Sequence, residues 1–268
     1  MNIEINKLYC ESNTDTMARM PDGFVDLTVT SPPYDNLRDY KIYSFDFESI
    51  AKELYRITKQ GGVVVWIVGD ATIDGSETGT SFRQALFFKE VGFKLYDTMI
   101  YEKNSSSFPA SERYEQVFEY MFVLSKGKPK TINLIKDKKN RWAGTSTFGE
   151  ISNRKQNGEL EKKGKKVIAE FGIRTNIFKY STGAGVSAED ERAFEHPAIF
   201  PEKLAKEHIY TWSAKGELIY DPFMGSGTTG KMAVLMDRNY IGSEISREYC
   251  DIAEQRISLH KSQQRLAL

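Results

Sequence analysis

The chain has 268 residues, 40% of them apolar, 28% charged and 12% aromatic, with 37 basic and 37 acidic residues that balance to zero. That size suits one domain with an insert and a core large enough to fold without staples; two cysteines, Cys10 and Cys250, and no Cys/His cluster at metal spacing exclude a disulfide-framed mini-protein and a structural zinc domain. The longest aliphatic-aromatic run, Val63 to Val68, is too short to span a bilayer, the N-terminus carries no signal pattern, and a reducing cytoplasm is the expected compartment.

Short apolar runs alternate with amphipathic stretches, the pattern of an α/β sheet. Val25 to Thr30 reads as a strand, ended by Ser31-Pro32-Pro33. Phe47, Ile50, Ala51, Leu54 and Ile57 recur at three- and four-residue steps and predict a helix over 47–57. Gly61-Gly62 is expected to stop that region, with a buried strand over Val63 to Val68. A helix over Ser81 to Glu90 follows, then strands over Leu95 to Tyr101 and Val117 to Leu124. The rhythm lapses from about 128 to 180. It resumes with a helix opening at Pro201, a strand over Leu218 to Tyr220, a helix over Thr228 to Met236, a strand over Tyr240 to Glu244 and a helix over Arg247 to Leu259. Three segments result: 1–127, an insert over 128–180, and 181–268.

The zero net charge hides a polarity. Between Lys126 and Glu170 there are 13 Lys and Arg against 5 Asp and Glu. Such a stretch is either a solvated loop or an arm that meets phosphates, and charge alone does not choose between them.

Gly225-Ser226-Gly227-Thr228-Thr229-Gly230 lies between a predicted strand and a predicted helix. Glycines there let backbone N–H groups approach a ligand at a helix N-terminus. The run fits the dinucleotide pattern. With Lys231 it also nearly fits the nucleotide-phosphate loop, but Met232 stands where that loop needs a magnesium-binding hydroxyl, and a thioether does not replace it. Glu244 closes the next strand at a distance suited to ribose hydroxyls. An adenosine-containing cofactor of either kind, nicotinamide or another, satisfies this pattern.

Ser31-Pro32-Pro33-Tyr34 caps a strand. The prolines fix φ and donate no backbone hydrogen bond, so the Ser31 hydroxyl, the Pro32 carbonyl and the Tyr34 ring are held stiffly. Ser31, Asp221 and Glu244 each stand at the carboxyl end of a predicted strand, and in an open parallel sheet those ends share one ligand-binding edge.

With Thr30-Ser31-Pro32-Pro33-Tyr34, the loop Asp221-Pro222-Phe223-Met224-Gly225-Ser226-Gly227-Thr228-Thr229, the preceding His196-Pro197-Ala198-Ile199-Phe200-Pro201 and the strand Tyr240 to Ile245, the chain resembles the DNA amino-methyltransferases that use S-adenosylmethionine. The catalytic motif precedes the cofactor loop, the β-type order of that family. The resemblance covers nearly the whole chain outside the basic insert. It implies a Rossmann-like methyltransferase fold, mostly parallel with one reversed strand, plus a basic target-recognition insert.

The resemblance implies a base flipped out of double-stranded DNA, with Ser31 and Pro32 accepting from its exocyclic amine, Pro33 stiffening the turn and Tyr34 stacking on the ring. Serine before Pro-Pro-Tyr accompanies cytosine N4 in most of the family, and Asp or Asn accompanies adenine N6, so cytosine N4 is expected and adenine N6 is the alternative. Cytosine C5 chemistry needs a cysteine nucleophile, and Cys10 and Cys250 each follow a tyrosine rather than a proline. S-adenosylmethionine would meet Tyr9, Cys10 and Glu11, where the family usually carries Gly-Asp in place of Cys10-Glu11. It would also meet Pro201, Asp221, Phe223, Gly225, Ser226, Gly227, Thr228, Thr229 and Glu244. DNA contacts are expected from Arg38, Arg113, Lys138, Lys139, Arg141 and Arg154, with no membrane partner and no metal. A cognate restriction endonuclease and a homodimer both fit the resemblance. A nicotinamide-dependent dehydrogenase and a catalytically silent DNA-binding relative are the readings of other classes.

Overall fold

The structure is a computed structural model that describes residues 3–33, 45–104, 112–146, 152–162, 165–181, 183, 187, 188, 190, 193 and 201–266. They fall into two compact units, one of Met1–Asn133 with Asn176–Leu268, the other of Leu134–Thr175.

In chain order the large unit runs β1 (Lys7–Cys10), α1 (Asn13–Ala18), β2 (Val25–Thr30), α2 (Phe47–Ile57), β3 (Thr58–Val68), a small hairpin of β4 (Thr72–Ile73) and β5 (Ser76–Glu77), α3 (Thr80–Val91), β6 (Lys94–Lys103) and β7 (Phe118–Ser125). The smaller unit supplies β8 (Lys138–Lys139), β9 (Ser152–Arg154), β10 (Leu160–Lys162) and β11 (Phe171–Gly172). The large unit then closes with β12 (Ile177–Tyr180), α4 (Glu202–Trp212), β13 (Leu218–Asp221), α5 (Thr228–Leu235), β14 (Asn239–Glu244) and α6 (Arg247–Leu266).

Eight strands form one sheet in the order β1-β14-β13-β2-β3-β7-β6-β12. Every neighbouring pair is parallel except those made by β7, which runs against both β3 and β6. This is the expected mostly parallel sheet with one reversed strand. The reason lies in burial on both faces. In β3, Val64, Trp66 and Val68 join Met17, Ile50, Leu54, Ala85 and Phe88 from α1, α2 and α3 in one core cluster. The alternate residues Val63, Val65 and Ile67 are as deeply buried on the opposite face.

Helix α2 shows how the sequence sets an element. Asp46 caps it by accepting from the Ser49 N–H at 3.2 Å, and Ile50, Ala51, Leu54 and Ile57 are fully buried on one face. The expected break at Gly61-Gly62 is corrected by the structure. Strand β3 begins at Thr58 and carries the glycine pair inside it. Val25 pairs with Thr58 and Leu27 with Val63, so β3 spends five residues where β2 spends two. The extra residues form an irregularity that glycine suits, because Gly61 has φ +83° and a Cβ on Gly62 would sit 2.7 Å from Thr58 Cγ2. Pro201 likewise stands one residue before the helix it was expected to open, with α4 starting at Glu202.

In the smaller unit, β8 pairs with β11 and β9 with β10, both antiparallel. Its limits, 134 and 175, lie inside the sequence boundaries of 128 and 180, since residues 177–180 pair with β6 in the large sheet.

Candidate active site

Four adjacent strands, β1, β14, β13 and β2, run in the same direction. Their carboxyl ends therefore meet along one stretch of sheet edge. Those ends carry Cys10-Glu11, Glu244, Asp221 and Thr30-Ser31 in that order. Register fixes the spacing, with Cys10 opposite Glu244 and Asp221 opposite Gly242.

The two motifs are joined directly. Thr30 Oγ1 donates to Asp221 Oδ1 at 2.6 Å across 191 positions of sequence. The same oxygen accepts the Phe223 N–H at 3.0 Å, which shapes the start of the glycine loop. Thr229, in the first turn of α5, donates to the Val29 carbonyl at 3.3 Å and fastens that helix to the end of β2. Asp221 is wholly buried and its Oδ2 has no hydrogen-bond partner among the described residues. Burial pushes its pKa up to about 6, against the downward pull of the Thr30 and Thr229 hydroxyls and the Phe223 N–H. A buried carboxylate oxygen without a donor is the complement of a cationic or N–H-bearing ligand.

Glu244 holds the other side of the loop. Its Oε2 accepts the Gly225 N–H at 2.9 Å and its Oε1 the Ser246 N–H at 2.8 Å. Burial raises its pKa, and these backbone donors oppose the rise. Gly225 and Gly227 both have positive φ, +50° and +83°. A Cβ on Gly227 would lie 2.8 Å from Ala253 Cβ on α6, so loop and helix touch only because no side chain stands there. The first N–H groups of α5 have no intrahelical partner, and a helix start of this kind can hold an anion.

Other expected residues fall into place or lie elsewhere. Pro32 is buried, and Ser31 and Pro33 are half-buried at the end of β2, while Tyr34 and Arg38 lie outside the described residues. The Tyr9 side chain is in the core, its hydroxyl accepting from the Glu4 N–H at 2.7 Å and its ring under the Arg19 guanidinium at 4.6 Å. Glu11 reaches the site edge but is engaged by Arg19 and by Thr16 Oγ1 at 2.7 Å. Cys10 is exposed at the same edge. Phe223 packs edge-on against Phe45, with centroids 5.7 Å apart. Ser226 and Thr228 turn their hydroxyls to Arg256, at 3.0 and 3.4 Å. Arg113 donates to the Gly75 carbonyl at 2.8 Å and to Thr72 Oγ1 at 3.4 Å, bracing the β4–β5 hairpin. In the smaller unit Lys138, Lys139, Arg141 and Arg154 are all exposed, with Arg141 lying over the Trp142 ring at 5.4 Å.

Sequence reasoning passed over Thr30 as a structural link, and over Lys231, Glu202 and Arg256. A signal existed for Arg256. It shares a helical face with Ile252, Ala253 and Ile257, all buried, and a charge on an apolar stripe demands a partner.

An open α/β sheet with one reversed strand, whose consecutive strand ends converge on a glycine loop and an orphaned carboxylate oxygen, defines the class: a nucleoside-cofactor methyltransferase fold. Comparison with known proteins narrows it. The chain belongs to the N6/N4 DNA methylase family, whose pattern spans residues 25–255. It is 60% identical over 245 residues to the orphan methyltransferase M.BamHII of Bacillus amyloliquefaciens, covering 90% of this chain and 92% of that protein. Among solved structures, the cytosine-N4-specific PvuII DNA methyltransferase shares the fold with a TM-score of 0.68 at 20% identity, over 95% of this chain and 87% of that one. The complex of M1.HpyAVI with S-adenosylmethionine shares it with a TM-score of 0.60 at 21% identity, over 93% and 98%. Among the described residues no helix is long and apolar enough to cross a membrane.

Proposed function

We propose that this DNA methyltransferase transfers a methyl group from S-adenosylmethionine to the N4 amine of a cytosine flipped out of double-stranded DNA. The observation that carries the reading is the Thr30–Asp221 hydrogen bond, which locks the Ser31-Pro32-Pro33 turn beside the glycine loop. Base and cofactor would thus be held by two rigid strand ends rather than by mobile loops.

The cofactor is S-adenosylmethionine, and when bound it supplies an electrophilic methyl carbon on a sulfonium. The residues of this chain suit it. Asp221 Oδ2, buried and without a donor, fits the ammonium of its methionine portion. The start of α5 fits the carboxylate. Glu244 keeps acceptor capacity for ribose hydroxyls beyond its two backbone bonds. The sites differ in their demands. The cofactor end needs fixed donors and acceptors, and the base end needs a flat ring and two acceptors.

At the base, an exocyclic amine is a weak nucleophile because its lone pair is shared with the ring. The Ser31 hydroxyl and the Pro32 carbonyl accept its two N–H groups, hold the nitrogen in place and favour a more tetrahedral form. Proton loss accompanies transfer, so no strong base is required. Tyr34 stacks on the flipped ring, a contact worth roughly 1–3 kcal/mol. The exposed basic residues of the smaller unit, Lys138, Lys139, Arg141 and Arg154, serve the DNA phosphates. Serine at position 31, and the cytosine-N4 specificity printed for the PvuII enzyme of the same fold, favour cytosine over adenine N6. M.BamHII is described as an orphan, which favours a solitary cytoplasmic modifier over one paired with an endonuclease.

The test is to incubate the purified protein with plasmid DNA and S-adenosylmethionine, digest to nucleosides and weigh the products. N4-methylcytosine is expected. N6-methyladenine would move the assignment to the adenine branch, and label in neither base would reject transfer to an amine.

A further inference from the structure

Behind the glycine loop lies a cluster of four charges, three of them buried and Asp190 half-buried, that no step above uses. Lys231 and Arg256 are each 1% exposed, and Glu202 is 7% exposed. Lys231 Nζ donates to Asp190 Oδ2 and to Glu202 Oε1, both at 2.7 Å. Arg256 donates through Nε to Asp190 Oδ1 and through Nη2 to Glu202 Oε1, both at 2.8 Å. Two cations thus face two shared carboxylates, and the charges cancel. The cluster draws on α5, on α6, on the first residue of α4 and on Asp190.

Such a cluster is costly to assemble and is weak evidence for stability as such. Its remaining arm points to a use. Arg256 Nη1 donates to the Ser226 carbonyl, to Ser226 Oγ at 3.0 Å and to Thr228 Oγ1 at 3.4 Å. Ser226 stands between the two left-handed glycines, where the backbone has the most freedom to rotate. On one side the Met224–Gly225 peptide is held by Glu244 through the Gly225 N–H. On the other the Ser226–Gly227 peptide is held by Arg256 at its carbonyl and by the Gly227 N–H bond to the Met224 carbonyl. The carboxylates orient the guanidinium plane, and the plane orients the loop.

We infer that Arg256 is a positioning residue for the cofactor, clamping the Ser226 peptide from behind so that the glycine loop holds its ligand-binding shape. The inference rests on the reading of that loop as the S-adenosylmethionine site. The Lys231 ammonium neutralises the same two acids and donates to them rather than to the loop, which makes its side chain the internal control. A guanidinium is required because an ammonium cannot span two carboxylates and a carbonyl in one plane.

The experiment compares Arg256→Lys with Lys231→Met by melting temperature, by calorimetric titration of S-adenosylmethionine and by turnover at saturating cofactor. Both variants are expected to melt lower. Only Arg256→Lys should weaken cofactor binding, by about tenfold, with the DNA KM unchanged and most turnover recovered at high S-adenosylmethionine. Equal cofactor affinity in the two variants would overturn the inference. Should Arg256→Lys fail to fold, Ser226→Ala removes one arm of the clamp, and a two- to threefold weaker cofactor affinity is expected; wild-type affinity there would also overturn it. Gly225→Val separates the two levels. If it binds cofactor normally, the loop reading itself falls, whereas if it loses cofactor and Arg256→Lys does not, only the clamp falls.

Discussion

The strand ends around the glycine loop and the basic unit of residues 134–175 are built on opposite principles. Around the glycine loop the charged groups are buried or half-buried and tied to fixed partners. Asp221 takes Thr30 and the Phe223 N–H, Glu244 takes two backbone donors, and Arg256 and Lys231 share two acids. In the basic unit Lys138, Lys139, Arg141 and Arg154 stand in solvent on short two- and three-residue strands and turns. A small ligand is discriminated by groups that do not move, so the chain desolvates and wires them. A polyanion is gripped through counterion release, which needs accessible cations rather than fixed ones.

The comparison breaks most sharply at the loop. Gly225→Val puts a β-branched side chain at φ +50°. It should lower cofactor affinity at least a hundredfold in a titration, while DNA binding in a gel shift is spared. Tyr34→Ala should do the reverse of a loop mutation, abolishing transfer with cofactor affinity intact; a loss of cofactor binding would move Tyr34 to the other site.

Next comes the basic unit. Converting Lys138, Lys139, Arg141 and Arg154 to alanine should reduce the slope of log affinity for DNA against log salt by roughly 3 to 4, at about 0.9 per lost phosphate contact. Cofactor affinity should not change. An unaltered slope would return that unit to a solvated loop.

The smallest effect is a pH dependence. Asp221 has a folded pKa raised to about 6 by burial, above its ordinary 3.8. Its carboxyl is fully protonated in the folded chain below the ordinary value, and stability is lost as pH rises from there through 6, by on the order of 3 kcal/mol at most. Asp221→Asn keeps an oxygen for Thr30 and the Phe223 N–H. In the absence of cofactor its melting temperature should gain on the wild type between pH 4 and 6.5, and its cofactor affinity should fall about tenfold. A gain that shrinks with pH would place the charge elsewhere.

Much of the fold is legible in single segments. The spacing of Ile50, Ala51, Leu54 and Ile57 gives α2, and the run from Val25 to Thr30 gives β2, because each buries a face that its own periodicity draws. Strand β1 and helix α1 were not read, since Lys7–Cys10 has only two buried residues and α1 only six in all. The Gly61-Gly62 break failed because a strand can absorb glycines as an irregularity when its neighbour supplies the register.

Taken alone, the sequence pointed to the family, placed the central strands and helices of the large sheet from β2 to β7 and from α4 to α6, and brought Ser31, Asp221 and Glu244 to one edge, since parallel strands place their carboxyl ends together whatever lies between them. Tertiary structure alone decided how the loop is held: which oxygen of Asp221 is left without a donor, and that Arg256, 30 residues beyond Ser226, returns to grip it. Periodicity specifies which face of an element is buried, whereas the pairing of buried charges depends on which elements share that interior, and no local pattern encodes it.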